Sequence, residues 1–195
     1  MRKVDPEGNT ELHVACIEGS FAKVYELWSA RQNLEVLNRR GDTPLHRAAA
    51  TGHARLVEFL VAVGADIETK NGSGWTPLHW ATFMEREKVV RQLLRDGASV
   101  AVRDRKGKTP LDIVEEVRVL VATPEVLEIE RMLREAMEHK GRKVKSLKRL
   151  CVKRLMGRRQ HGEMIKYLQM VYGGGEDGVD QNGGDEEVKP GGEHS

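Results

Sequence analysis

Histidine is the residue type in this chain with the clearest capacity for chemistry, and three of its seven copies recur at one spacing. His13, His46 and His79 follow one another at intervals of 33 residues, each at the end of a Thr-x-Leu-His motif. Acid–base catalysis or metal binding needs different groups that converge on one point, whereas these three are copies of one repeat position. We therefore predict that they make structural hydrogen bonds.

The other residues with reactive side chains form no recognisable site. The remaining histidines show no metal-ligand spacing with either cysteine, Cys16 or Cys151. The sequence contains no P-loop, no dinucleotide fingerprint and no nucleophile elbow. We therefore predict no catalytic residue, no metal site and no cofactor. These histidines are His53, His139, His161 and His194.

The histidine motif is one part of a repeat that occurs four times. A glycine stands two residues before each threonine, and Thr-Pro-Leu-His at a period of 33 is typical of ankyrin repeats. The sequence resembles the ankyrin family over residues 5 to about 117. The resemblance implies that each histidine links one repeat to the next. The copies are Thr10-Glu11-Leu12-His13, Thr43-Pro44-Leu45-His46, Thr76-Pro77-Leu78-His79 and Thr109-Pro110-Leu111-Asp112.

The repeat predicts an all-α ankyrin solenoid of about four helix-turn-helix units over residues 5–139. Each threonine can cap a first helix, proline suits its first turn, and an apolar stripe follows in the second helix. Thr123-Pro124-Glu125 opens a helix that we expect to be the second helix of repeat four. The predicted repeats lie near 5–37, 38–70, 71–103 and 104–139.

The terminal copies depart from the pattern, as capping repeats do. Glu11 replaces proline in the first copy, and Asp112 replaces histidine in the fourth, which loses the pattern after Val117. In the third copy Glu85 stands where the first two have Gly19 and Gly52. We predict that the turn at Glu85 is strained or is shaped for a contact.

Composition places most of the charge asymmetry after the repeats. The formal net charge is only +2, yet residues 140–159 hold ten Lys or Arg and no acidic residue. Residues 173–195 hold seven Asp or Glu and eight glycines, and we expect this tail to be disordered. Two cysteines in separate modules, with no apolar signal core and no long apolar run, favour the reducing cytoplasm or nucleus and no membrane contact.

The basic segment, residues 140–172, contains a second family resemblance. Ser146-Leu147, Cys151 and Leu155 follow the spacing of an Elongin-binding box, and the segment resembles the SOCS box of the ankyrin-and-SOCS-box family. The resemblance implies that Leu147, Cys151 and Leu155 bind Elongin C, with Elongin B, in a ubiquitin ligase. Recruitment of a cullin is a weaker expectation, because the family's Leu-Pro-x-Pro is missing.

Two other interpretations of this segment remain open. Its apolar face could pack on the end of the solenoid as a plain basic helix. Alternatively, its ten positive charges could direct localisation or contact nucleic acid, which would make the chain a cytosolic or nuclear ankyrin adaptor. The segment lacks aromatic residues up to position 159, so base stacking is not indicated.

The resemblance also implies a protein-binding surface on the turns and first helices. We expect a protein partner there, with the chain itself a monomer, and Trp75 and Arg40 are the first choices as anchors because Trp and Arg dominate interface energetics. The predicted surface comprises Arg39, Arg40, Asp42, Trp75, Phe83, Met84, Arg105, Lys106 and Lys108.

Overall fold

The computed structural model describes residues 4–120 and 122–138 of the chain. Within these residues the secondary structure is entirely helical, and eight helices follow one another as four helix-turn-helix units. The helices are α1 (Glu11–Glu18), α2 (Phe21–Ser29), α3 (Pro44–Thr51), α4 (Ala54–Ala62), α5 (Pro77–Phe83), α6 (Glu87–Arg95), α7 (Pro110–Leu120) and α8 (Pro124–Glu138).

The first helices of the four units stack side by side in the order α1, α3, α5, α7. Each begins where the motif predicts it, because threonine takes an extended conformation and proline fills the first helical position, as at Thr43-Pro44. Ala48 and Ala49 of α3 are fully buried, so small side chains let neighbouring helices approach closely.

The second helices form a parallel layer with a larger apolar core. Phe59 of α4 is fully buried and packs edge-on against Phe21 and Trp28 of α2, at centroid distances of 5.1 and 5.7 Å. At the other end of the array α8 packs against both α6 and α7. The helix that begins at Pro124 therefore is the second helix of repeat four, as predicted.

The turns that precede the first helices are joined to one another by backbone hydrogen bonds. We call residues 39–40, 72–73 and 105–106 the turn tips of repeats two, three and four. The Gly72 N–H donates to the Arg40 carbonyl (2.9 Å), and the Arg105 N–H donates to the Ser73 carbonyl (3.1 Å). This close approach explains Gly41, whose φ is +75° and whose added Cβ would lie 2.8 Å from the Gly72 nitrogen. The tips thus form one continuous edge.

His13, His46 and His79, the ladder histidines, connect successive units. The Thr43 backbone N–H donates to Nδ1 of His46 (3.1 Å), so that nitrogen carries a lone pair and the proton sits on Nε2. The Nε2–H then donates to the Trp75 carbonyl of the next unit (2.9 Å). His13 reaches the Asp42 carbonyl in the same way (2.9 Å), and His79 reaches the Lys108 carbonyl (3.3 Å). The predicted structural role is confirmed.

The threonine caps differ from the expectation in one detail. The hydroxyl of Thr43 lies 2.8 Å from His46 Nδ1 but 3.4 Å from the His46 backbone nitrogen. Thr76 makes the same short contact with His79 Nδ1, at 2.8 Å. The principal partner of each hydroxyl is therefore the ring of the ladder histidine. The hydroxyl donates to the ring Nδ1 over a shorter distance than the one at which it could accept from the helix N–H.

The ladder ends at Asp112, and its chemistry suits that end. The Asp112 carboxylate accepts the Thr109 N–H (2.7 Å) and hydroxyl (2.8 Å), as the histidine ring does in the other repeats. A carboxylate has no proton to donate, so it cannot make the link to a further repeat. Aspartate thus keeps the local cap in the fourth copy of the motif, after which the described residues contain no further turn of the array.

The two glycines that end α1 and α3 are covered by side chains from the following repeat. Gly19 has φ +76°, and a Cβ there would lie 2.5 Å from the His53 ring, whose Nε2 contacts the Ile17 carbonyl (3.1 Å). Glu85 at the equivalent position of repeat three also has a positive φ, +56°. The predicted backbone strain at Glu85 is therefore present. In repeat four there is no turn at the equivalent position, because α7 stays helical to Leu120.

Candidate functional site

A groove of about 510 Å³ opens beside the turn tips of repeats three and four. Its walls come from the tips, from the end of α5 and from one side of α7. The groove combines exposed apolar side chains with cations. It is lined by Gly72, Ser73, Trp75, Phe83, Asp104, Arg105, Lys106, Lys108, Ile113, Glu116, Val117 and Leu120.

An aromatic cluster forms the wall on the side of repeat three. The Trp75 ring packs edge-on against Trp80 and Phe83, at centroid distances of 4.9 and 5.2 Å. Phe83 is nevertheless 45% exposed, although it is a large apolar residue. An aromatic ring that is held in place by its neighbours and still faces solvent can bind a partner with little loss of side-chain entropy.

Trp75 is fixed by a hydrogen bond that replaces the one found between the other repeats. In those, an asparagine amide donates to the side chain 29 residues earlier, from Asn71 to Asp42 (2.7 Å) and likewise from Asn38. Tryptophan can only donate, and here its indole N–H donates to the Asp104 carboxylate (3.0 Å). The donor and the acceptor have exchanged repeats, so Trp75 also has a structural role.

Asp104 organises the fourth turn tip. Burial alone would raise the pKa of Asp104, but the N–H donors of Lys108, Trp75 and Lys106 outweigh it and hold that pKa below its usual range. The carboxylate accepts the backbone N–H groups of Lys106 and Lys108, both at 2.8 Å. It therefore fixes the loop from which the side chains of Arg105 and Lys106 extend.

Another part of the lining comes from α7, which the sequence analysis did not include in the site. Ile113 is buried, Val117 is half-buried, and Leu120 is 83% exposed. The ion pair between Lys108 and Glu116 (2.6 Å) closes this side. The signal was present in the sequence, since the helix continues past Val117 without the glycine that ends α1 and α3.

The comparison with known families agrees with this architecture. Residues 12–104 match the family model for ankyrin repeats, in three copies. They are ankyrin repeats. The predicted all-α ankyrin solenoid is therefore confirmed, and the fold is one that binds protein partners rather than one that performs catalysis. A search of curated proteins gave no match to this sequence.

Five of the nine residues that sequence analysis assigned to the ankyrin surface lie together in the groove. They are Trp75, Phe83, Arg105, Lys106 and Lys108. Arg39 and Arg40 are exposed at the tip of repeat two, outside the groove lining. Met84, which is 37% exposed, follows α5 and is also outside the lining.

Asp42 is not at the surface, contrary to expectation. Its side chain is 0% exposed, and its Oδ1 accepts hydrogen bonds from Asn71 Nδ2 (2.7 Å) and Trp80 Nε1 (3.0 Å). Arg47 lies 3.7 Å from the other carboxylate oxygen. These partners surround the Asp42 carboxylate and bury it. Asp42 lies at the position of the turn from which a side chain bonds to the next repeat. It is part of the framework that holds the surface.

The three ladder histidines and Cys16 are buried, which shifts the pKa of each side chain. Burial lowers the pKa of all three ladder histidines, and both nitrogens of each ring are engaged. Burial also raises the pKa of the Cys16 thiol to about 12. Among the residues that the structure describes, no group of His, Cys, Asp or Glu is arranged to hold a metal ion.

Other expectations fall elsewhere in the chain. Leu147, Cys151 and Leu155, the basic segment at 140–172 and the tail at 173–195 lie outside the described residues. Within residues 4–120 and 122–138, no helix is both long and apolar enough to cross a membrane.

Proposed function

We propose that this chain is a substrate-recognition subunit. In this proposal the ankyrin groove captures a protein partner, and residues 146–155 bind Elongin C of a ubiquitin ligase. One observation supports the first part above all. Phe83 and Leu120 both expose apolar surface in one groove, beside the cations of the fourth turn tip. Exposed apolar side chains rimmed by charge are typical of interaction sites.

The second part of the proposal rests on the sequence of the basic segment. Ser146-Leu147, Cys151 and Leu155 have the spacing of an Elongin-binding box and follow directly after an ankyrin array. The ligase chemistry would belong to other subunits, so this chain would need no catalytic group of its own. Both parts are compatible with a location in the cytoplasm or nucleus, where Cys16 would remain a buried, reduced thiol.

Partner capture is tested by affinity purification and mass spectrometry with two variants of the full chain. The first, Phe83→Ala with Arg105→Ala, changes the groove. The matched control, Leu127→Ala with Arg95→Ala, removes an exposed apolar residue and an exposed cation from α8 and α6. We expect the groove variant to lose partners that the wild type and the control both retain. If all three proteins retain the same partners, this groove is not the capture site.

The Elongin link is tested with purified Elongins B and C. Leu147→Ala should weaken binding by roughly 30-fold to 1000-fold, as for the loss of a buried anchor worth about 2–4 kcal/mol. Lys148→Gln with Lys153→Gln should have little effect on it. The alternative, an adaptor whose basic segment binds nucleic acid, predicts the reverse order in a salt-dependent retention assay. If the wild type does not bind the Elongin pair at micromolar concentration, the ligase proposal is wrong.

A further inference from the structure

We propose that the groove takes one particular kind of ligand: an extended acidic segment of a partner protein. The segment carries carboxylates at both ends and an apolar side chain between them. This inference rests on the proposed function and adds the chemistry of the partner. Three features of the described residues carry it, namely the unpaired cations, their separation along the turn tips, and the apolar surface of the groove beside them.

The cations of the turn tips are available to a ligand. Arg40, Arg105 and Lys106 are exposed, and none of the three forms an ion pair with another residue of the described ranges. Lys108 differs, because its ammonium group already contacts the Glu116 carboxylate at 2.6 Å. An incoming acidic group would therefore meet Arg105 and Lys106 without displacing an existing partner, which makes the electrostatic gain larger.

The cations form two groups with a gap between them. Arg40 belongs to the tip of repeat two, whereas Arg105 and Lys106 form the tip of repeat four. Packed helices lie about 8–10 Å apart, so tips two repeats apart are separated by roughly 16–20 Å. An extended chain rises about 3.3 Å per residue, so five or six residues cover this distance. The ligand should therefore carry its acidic groups at that interval.

The gap between the two groups is open and leads to the apolar surface. The tip of repeat three consists of Gly72 and Ser73, the smallest side chains of the three tips, and both line the groove. Gly72 has no room for a larger residue, since an added Cβ would lie 2.7 Å from the Arg40 carbonyl oxygen. A peptide that crosses this low tip enters the groove that Phe83 and Leu120 also line.

The two other polyanions that could meet this surface fit it less well. Nucleic acid would present phosphates along its whole length, whereas the cations here are few and the groove beside them exposes the apolar side chains of Phe83 and Leu120. The acidic tail of this chain, with seven Asp or Glu over residues 173–195, has a competing site in its own sequence. Residues 140–159 offer it ten positive charges, more than the turn tips do.

Fluorescence anisotropy with the full chain tests the assignment. The probe is a labelled peptide that carries a glutamate pair at each end, about five residues between the pairs, and a central leucine. We expect saturable binding that weakens as salt is raised. Arg105→Glu should reduce affinity about tenfold or more, and Leu120→Ser should also reduce it. Arg95→Glu, a charge reversal on α6, is the matched control and should leave affinity unchanged.

Several results would overturn the inference. The first is no binding at millimolar peptide, and the second is equal binding when lysines replace the glutamates or serine replaces the leucine. A third is equal binding by Arg105→Glu and wild type. If neutralising the seven acids of the tail tightens peptide binding tenfold or more, the natural occupant is the tail and not a partner. Preferential binding of single-stranded DNA at the same residues would reassign the groove to nucleic acid.

These outcomes are separable from those of the proposed function. If the groove variant Phe83→Ala with Arg105→Ala loses its protein partner in the affinity experiment while the acidic peptide fails to bind, the capture site stands and only its assigned chemistry is wrong. If partner capture is unaffected by that variant but the peptide binds as expected, the groove has a ligand, and the main partner uses another surface.

Discussion

Replacing His46, a ladder histidine, with alanine should destabilise the whole array more than replacing any histidine outside the ladder. The His46 ring accepts two hydrogen bonds from Thr43 and donates one to the Trp75 carbonyl. His46 is fully buried, and so is its hydrogen-bond partner Thr43. The substitution therefore removes bonds within one repeat and between two repeats at once.

The expected loss can be estimated from what each partner retains. The Thr43 N–H is left buried without an acceptor, which costs about 1–3 kcal/mol. The Trp75 carbonyl keeps the N–H of Asn71 (2.9 Å), so losing the histidine there costs only about 1 kcal/mol. Together these losses amount to about 2–4 kcal/mol, and the space left by the ring adds to them. That is a large share of the about 5–15 kcal/mol that stabilises a typical domain.

Urea unfolding followed by circular dichroism measures this loss. His53→Ala is the matched control, because its half-buried ring makes one contact, to the Ile17 carbonyl. We expect about 1 kcal/mol for the control, and a single transition in both variants because neighbouring repeats are coupled. If His46→Ala loses no more stability than His53→Ala, the hydrogen bonds of the ladder do not contribute as described.

Four further predictions follow from the same geometry. The ladder histidines have lowered pKa values, so the unfolded chain binds protons that the folded chain does not. The free energy of unfolding should therefore be at its full value above about pH 6.5 and should fall below that pH, by at most about 4 kcal/mol per pH unit. Urea titrations at several pH values measure this dependence. Glu85→Gly should stabilise the array by about 1 kcal/mol, because Glu85 has a φ of +56°; an unchanged melting temperature would contradict this. Thr43→Ala and Thr76→Ala should each cost about 1 kcal/mol, and unchanged urea midpoints for both would show that the hydroxyl contacts are unimportant. Cys16, with a pKa of about 12, should react with a thiol reagent only upon unfolding, and rapid labelling of the native protein would contradict its burial.

The sequence was sufficient to predict the solenoid because each repeat begins its first helix, and bonds to the next repeat, with the same residue types at the same spacing. Thr43-Pro44 and Thr76-Pro77 place helix starts at a fixed period, and the ladder histidine follows three residues after each threonine. A repeat therefore predicts both its own helices and its bond to the next repeat. The start of α8 at Pro124 was also predictable, because its cap and first turn carry the same kind of signal.

The groove was only partly predictable, because it depends on how the repeats differ. Phe83 and Arg105 could be assigned to a surface by their repeat positions, but Leu120 has no equivalent in the other repeats, since α7 runs beyond the length of the other first helices. The only sign of it in the sequence is the missing glycine, which predicts a longer helix but not that Leu120 lines the groove. Asp42 was misassigned because repeat position places it in a turn, and only the three-dimensional arrangement brings Trp80 and Asn71 to its carboxylate. Such contacts span 29 or more residues and leave no local pattern.

The exchanged hydrogen bond at Trp75 also bears on how arrays of this kind can change by gaining or losing units. Deleting residues 38–70 would bring Asn9 beside Asn71, a pairing of amides like the existing one with Asn38. Deleting residues 71–103 would instead bring Asp42 against Asp104, two carboxylates with no donor between them at a largely buried position. The units therefore look interchangeable in outline but are not so in practice. The order of the units is constrained by which side chains donate hydrogen bonds and which accept them. Deletion of the second unit should therefore destabilise the array less than deletion of the third.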